Sequence, residues 1–568
     1  MQRTVALLPS PTGELRDIRE VAASIGLAER DLDLHGRHRA KIARDTVEAA
    51  CGTRVGHPRG KYVLVSAITP TPLGEGKTVT AIGLSMGLWR RGRTAAVAIR
   101  ESTLGPTLGV KGGGAGGGAS HIVPLDECLL GLGGDAHAVA NANNLLAAFI
   151  DDVLMRRSIP IDPFTVQWRR VGDISDRALR RIVTGLGGHA NGVPRETGFD
   201  ITAASEVMAL LALSLDGRDL RARLGKIVAG FDGDRPVLAE ELRCAGAMAA
   251  LLREAMQPNL MQTVEGTPAF IHTGPFGNIS HGNSSIIADL VALPRVEYLV
   301  TEAGFGADMG AEKFFDIKCR ASGLAPDAAV LVATVPGIKS HSGRYRLAEG
   351  RAVPADLWRE NVPDLETGAA NLTRQIRNLR AFGVPVVVAV NRYETDSPAE
   401  LRAVRSLAAD AGAAAVAEHW GFAQGGAGCV GLANAVEEAC RFGAAVRPLY
   451  RLEESPEAKI MTLATRLYGA ADVSFAPEAR RDLERYIKAG YGGLPVCIAK
   501  THLSLSHDPA LKGAPSGYTF PIRGVRLAAG AGYLYALAGD IMTMPGQPSH
   551  PHAAQIDVDA AGRVTGLV

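Results

Sequence analysis

The sequence predicts an α/β protein in which a mainly parallel, doubly wound sheet fills one large domain and smaller α/β domains follow. Three observations carry this expectation. Short apolar, β-branched runs (62–68, 94–99, 296–302, 328–334 and 384–390) alternate with longer helical stretches, the pattern of β–α–β crossovers. A strand, a glycine-containing turn, Lys-Thr and a helix follow one another between residues 62 and 91. The chain of 568 residues, 46% apolar and 21% charged, is long enough for several domains with large cores and is not disordered in composition. Composition places the divisions at 1–360, 361–455 and 456–568.

The N-terminal patch at residues 5–9 is too short for a signal peptide, and no run approaches a membrane span. A formal net charge of +2 gives no reason to expect nucleic acid or an anionic membrane as partner. The seven cysteines are scattered, odd in number and free of C-x-x-C spacing, which suits reduced thiols and a cytoplasmic protein. Residues 15–45 are helical in pattern and charge-rich. His35 and His38 sit there among Arg37, Arg39 and Lys41 with no third ligand nearby, so a solvated face outweighs a metal site.

The run 62–68 reads as a buried strand and 79–91 as a helix. Between them stand Thr69, Pro70, Thr71, Pro72, Leu73, Gly74, Glu75, Gly76, Lys77 and Thr78. This is a phosphate cradle of the P-loop type. Backbone N–H groups and the helix N-terminus face the anion, Lys77 adds a point charge, and Thr78 offers a hydroxyl to Mg²⁺. The fit to G-x-x-x-x-G-K-[ST] is imperfect, since Thr71 holds the first Gly position. A second strand, 94–99, ends in Arg100-Glu101, and a run with six glycines in the seven positions 112–118 follows, with Lys111 before it. Composition alone would make that run a linker; its place after two core strands favours close approach of backbone to a ligand.

These motifs resemble the formate–tetrahydrofolate ligase (10-formyltetrahydrofolate synthetase) family, whose pattern is T-P-T-P-x-G-E-G-K-T followed by R-E-P-S-L-G-P and a Gly-rich run. The resemblance extends in order through Gly134-Asp135-Ala-His137, the segment 198–209 (a core helix with Asp200 and Thr202 as available caps), 267–283, 491–506 and 539–548, nearly the whole chain. An Asp and a His at a helix mouth serve as caps as readily as they contact substrate; the resemblance moves Asp135 towards substrate binding. The basic segment 164–181 ends in a capped helix start at Ser175-Asp176.

The strand 296–302 ends in Glu302, a Gly-rich loop carries Asp308, and a helix opens at Ala311. Ligands of open α/β sheets lie beyond the carboxyl ends of strands, so Glu302 and Asp308 are candidates for water-mediated Mg²⁺ contact, a structural role being equally available. The strand 384–390 runs into Asn391-Arg-Tyr-Glu-Thr-Asp396, which differs from the Asn-Lys-x-Asp motif of GTPases in a late Asp. The resemblance implies a pterin site there, with Tyr393 on one face of the ring and Trp420 on the other. Stacking of this kind is worth roughly 0.5–1.5 kcal/mol beyond buried area.

What the resemblance implies is an ATP-dependent carbon–nitrogen ligase of one-carbon metabolism. ATP phosphorylates formate, and tetrahydrofolate attacks the formyl phosphate to give 10-formyltetrahydrofolate, ADP and phosphate. Lys77 holds the β/γ-phosphates, Thr78 the Mg²⁺, and Arg100 clamps the acyl phosphate through its planar fork. A monovalent cation and a homotetramer are further family expectations. The departures are Ser102 and Thr103 for Pro-Ser, Lys339-Ser-His-Ser-Gly343 for Lys-Met-His-Gly-Gly, Gln547 in Pro-Gly-Leu-Pro, and a 125–134 segment without the usual Asn, His, Phe and Thr. They keep open a related ligase using a different small carboxylate or acceptor. A nucleotide-switched binding protein of the P-loop group is the rival from another class.

Overall fold

Period-two alternation along the buried strands sorts their side chains onto two faces, and two cores follow from it. Leu64, Ala98, Leu331 and Val388 pack on one face with Leu372 and Ile376 of the helix Val362–Ala381. Val63, Val65, Val97, Val330 and Val387 pack on the other with Ile82 and Leu84 of Lys77–Arg90 and with Leu432 and Val436 of Val430–Ala439. The computed structural model describes residues 15–52, 59–109, 114–348 and 352–567. The patch at 5–9 and Lys111, with the first two glycines of the Gly-rich run, lie outside them.

The main sheet has the order Leu32–Leu34, Ala40–Ile42, Asn259–Thr263, Pro268–Ile271, Ala95–Ile99, Tyr298–Glu302, Lys61–Ala67, Ala328–Ala333, Val386–Asn391 and Ala415–His419. The last seven of these run parallel. The sheet is mainly parallel with helices on both faces, as expected, and its two last strands lie beyond residue 361. After residue 470 come a parallel pair, Asp472–Phe475 with Thr519–Ile522, and a three-stranded sheet of Val496–Ala499, Tyr533–Leu537 and Gly524–Ala528. Among the described residues no helix is long and apolar enough to cross a membrane.

Four local expectations need correction. Residues 15–45 hold the short helix Ile18–Ala23 and a 3₁₀ turn, then two antiparallel strands, Leu32–Leu34 at the sheet edge and Ala40–Ile42 beside it, before the helix Arg44–Gly52 begins, because Ala40 and Ile42 are drawn into the core. The helix start at 175–180 is a single 3₁₀ turn capped by Asp176 and followed by the strand Ile182–Thr184. In the segment 199–213, Phe199–Ile201 is a strand, and the helix Glu206–Leu213 is capped by Ser205, not by Asp200 or Thr202. The helix after Glu302 is wound as two π-helical turns, Ala307–Ala311 and Phe314–Cys319. Such turns widen a helix where a neighbour crowds it; a Cβ on Gly310 would stand 1.9 Å from the Gly304 carbonyl oxygen.

Candidate functional site

Parallel strands present their carboxyl ends to one edge, and the sequence-predicted loop lies on that edge. Lys61–Ala67 leads into it and Lys77–Arg90 leaves it, with Gly76 as the left-handed residue (φ 78°) before the helix. The loop is stapled from within. Glu75, 2% exposed, accepts hydrogen bonds from Thr71 N–H (3.1 Å), Thr71 Oγ1 (2.8 Å) and Thr334 Oγ1 (2.9 Å). Burial pushes its carboxyl above the usual carboxylate range, while these donors and the Lys77 charge pull it back. Asn391 Nδ2 donates to the Glu75 carbonyl (3.2 Å) from the end of the next strand but one, Val386–Asn391. Pro70, Pro72, Leu73 and Gly74 are half-buried, and the Gly74 N–H closes a turn on the Thr71 carbonyl (3.0 Å).

Thr69 opens the loop and is wholly buried. Its N–H donates to Asn371 Oδ1 (3.0 Å), and its Oγ1 accepts from Asn371 Nδ2 (2.9 Å) and Gln375 Nε2 (3.1 Å). His341 Nε2 meets its carbonyl at 2.8 Å. Lys77 starts the helix half-buried, close enough to Glu75 and His502 for its charge to act on both. His502 is pushed down to about 4 by burial, with Lys500 and Lys77 adding to it, and its ring stacks on Phe305 at 4.8 Å.

Two of the three candidate metal ligands meet. Thr78 Oγ1 donates to Glu302 Oε2 (2.8 Å), bringing a hydroxyl and a carboxylate together at the first turn of the helix. Asp308 has other partners: Lys500 Nζ lies 2.7 Å from Oδ2 and Gln375 Nε2 2.5 Å from Oδ1. Both carboxylate oxygens of Asp308 thus face buried donors, and its water-mediated contact with Mg²⁺ stays a proposal. Among the described residues no group of three His, Cys, Asp or Glu could hold a metal ion.

Arg100 stands at the end of the adjacent strand. Its Nη1 donates to the Pro275 carbonyl (3.2 Å), while Nε is buried without a partner among the described residues. Burial lowers its guanidinium, and Glu302 offsets part of that. The next residue, Glu101, buries both carboxylate oxygens with no partner among the described residues; desolvation, then the charge of Asp135, pushes it well above the usual range. Asp135 itself is 2% exposed and accepts from Lys41 Nζ (2.8 and 2.9 Å) and Asn259 Nδ2 (3.0 Å). The departing segment 125–134 lies against this group: Cys128, Leu129 and Leu132 point into the core, and a Cβ on Gly133 would meet Asn259 Oδ1 and Lys41 Cε at 3.0 Å.

The aromatic pair stands at the far side of the same edge. Tyr393 is half-buried and meets Trp358 edge-on (centroids 5.3 Å, 60°). Trp420, also half-buried, carries the Arg392 guanidinium over its ring at 4.7 Å, and Arg392 is held by Glu418 and Asp396. Asn371, Gln375, His341, Lys500 and Arg392 all support the site and were missed. Asn371 and Gln375 lie outside every motif, while His341, Arg392 and Lys500 lie within motifs whose spacing alone does not say which side chain reaches the site.

Residues 10–568 match the family described as formate–tetrahydrofolate ligase. A formate–tetrahydrofolate ligase of Roseiflexus sp. is 56% identical over 555 residues, covering 97% of this chain and 98% of that one. One from Saccharopolyspora erythraea is 54% identical over 556 residues (97% of each chain), and one from Chloroflexus aurantiacus 54% over 564 (97% and 98%).

Proposed function

The chain belongs to the formate–tetrahydrofolate ligase family, and from that premise we propose that it ligates formate to tetrahydrofolate through formyl phosphate, consuming ATP. Family membership removes the reading as a nucleotide-switched binding protein. The observation that carries the proposal is the convergence of the stapled phosphate loop, the Thr78–Glu302 pair and Arg100 at the ends of adjoining strands.

The loop's backbone N–H groups and Lys77 hold the β- and γ-phosphates of ATP. Thr78 and Glu302 form an all-oxygen pair of the kind that suits Mg²⁺, which when bound neutralises charge on the transferring phosphoryl group. Formate attacks the γ-phosphorus. Arg100, whose Nε has no partner among the described residues, clamps the resulting acyl phosphate. Tyr393 and Trp420 sandwich the pterin, and Arg392 braces the indole face turned away from it. The amine of tetrahydrofolate attacks the formyl carbon and phosphate leaves. The monovalent cation expected of the family has a fitting acceptor in Glu101, whose carboxylate is buried with no partner among the described residues. The homotetramer is carried over from the family alone.

The test is ADP production by the purified protein: it should require formate and tetrahydrofolate together and vanish in Lys77→Ala. The apolar 125–134 segment favours one second reading, a ligase for another small carboxylate. Release of phosphate with a different acid in a panel, and not with formate, would establish that reading instead.

A further inference from the structure

The pair Lys500–Asp308 joins the C-terminal part of the chain to the phosphate loop through an unbroken buried chain of polar contacts. Lys500 follows the strand Val496–Ala499, and the exposures of the Lys500 and Asp308 side chains are 0% and 2%. One amide hydrogen of Gln375 goes to Asp308 Oδ1 (2.5 Å) and another contact of the same nitrogen to Thr69 Oγ1 (3.1 Å). Gln375 Oε1 accepts from Asn378 Nδ2 (3.2 Å), so the orientation of the amide is fixed. Two further contacts fasten the segment that follows Lys500. His502 stacks on Phe305 at 4.8 Å, and the Gly513 carbonyl accepts from Asn371 Nδ2 (2.8 Å), the same nitrogen that reaches Thr69.

A buried ion pair contributes little net stability, because desolvation of two charges consumes most of their attraction. Burial indeed pulls the Lys500 ammonium down, with Asp308 opposing. An apolar pair would pack as well. What an apolar pair lacks is an acceptor that turns the Gln375 amide towards Thr69. We propose that residues 500–513 are a positioning clamp for the phosphate loop, acting through Lys500, Asp308 and Gln375 on Thr69, so that the C-terminal part of the chain sets nucleotide affinity. The inference rests on the reading of the loop as an ATP site. Lys500, Asp308 and Gln375 touch no reacting atom; they are positioning residues.

The experiment measures ATP binding by titration calorimetry and tetrahydrofolate binding by tryptophan fluorescence in the full chain, with thermal unfolding alongside. The variants are the double Asp308→Leu/Lys500→Met and the single Gln375→Leu. Both should weaken ATP binding about tenfold or more, the effect of one lost buried hydrogen bond, while tetrahydrofolate binding stays within about threefold. The double variant should keep its Tm within about 5 °C. ATP affinity within about threefold of wild type in Gln375→Leu overturns the clamp, whether or not the double variant folds. An equal loss of both ligands also overturns it, as that is what a merely structural role produces. If the wild type itself binds no ATP, the proposed function falls, a result separable from either.

Discussion

Arg100 offers the sharpest case at the scale of the residue. Its guanidinium is mostly buried, gives one hydrogen bond to Pro275 and leaves Nε without a partner among the described residues, an arrangement costly for folding and useful for an anion. Arg100→Lys keeps the charge and loses the fork, so kcat should fall about a hundredfold or more. A steady-state rate near wild type would make Arg100 a structural residue. Trp420 is the residue proposed for the other substrate. Trp420→Ala should raise the apparent KM for tetrahydrofolate about tenfold, for stacking and buried area together are worth roughly 1.5–3 kcal/mol. The KM for ATP should hardly move. Equal shifts in both constants would remove the pterin from this ring.

Among the elements, the phosphate loop is the one most legible in the sequence, because its information is local. The strand Lys61–Ala67, the turn and the helix Lys77–Arg90 follow the expected order with ends shifted by one or two residues. Its supports were not legible. Asn371 and Gln375 come from the outer helix Val362–Ala381, and their polarity reads there as a solvated face until the C-terminal segment is seen to cover them. The same cause misplaced 15–45, where charge hid two strands, the inner of which, Ala40–Ile42, pairs with the distant strand Asn259–Thr263. Gly76 shows how tightly the loop is set. A Cβ there would lie 2.4 Å from Asn391 Nδ2, and the left-handed backbone costs a non-glycine residue about 1–2 kcal/mol besides. Gly76→Ala should therefore weaken ATP binding about tenfold or more while lowering Tm. Unchanged nucleotide titration would mean that the loop does not carry the phosphates.

For the whole molecule, the two-sided parallel sheet was readable from apolar runs alone, and the site lies where such a sheet must place it, beyond the strand ends. Burial of titratable groups under that edge ties stability to pH. His419 is fully buried, and desolvation pushes it down to about 4. Its Nδ1 accepts from the Gly421 N–H (3.2 Å) and Nε2 meets Thr80 Oγ1 (3.2 Å), which is the neutral ring. A depressed folded-state value means that its contribution is complete above the unfolded value, about 6.5, and is lost as pH falls towards the folded one. The Tm of the wild type relative to His419→Gln should accordingly drop between pH 7.5 and 5; a pH-independent difference would contradict the buried neutral ring. The central claim, activation of formate as an acyl phosphate at this edge, is tested most directly with ¹⁸O-labelled formate. One formate oxygen bonds to the γ-phosphorus and leaves with it when the amine attacks carbon, so phosphate released with 10-formyltetrahydrofolate should carry one ¹⁸O. Product formed with unlabelled phosphate would contradict the account.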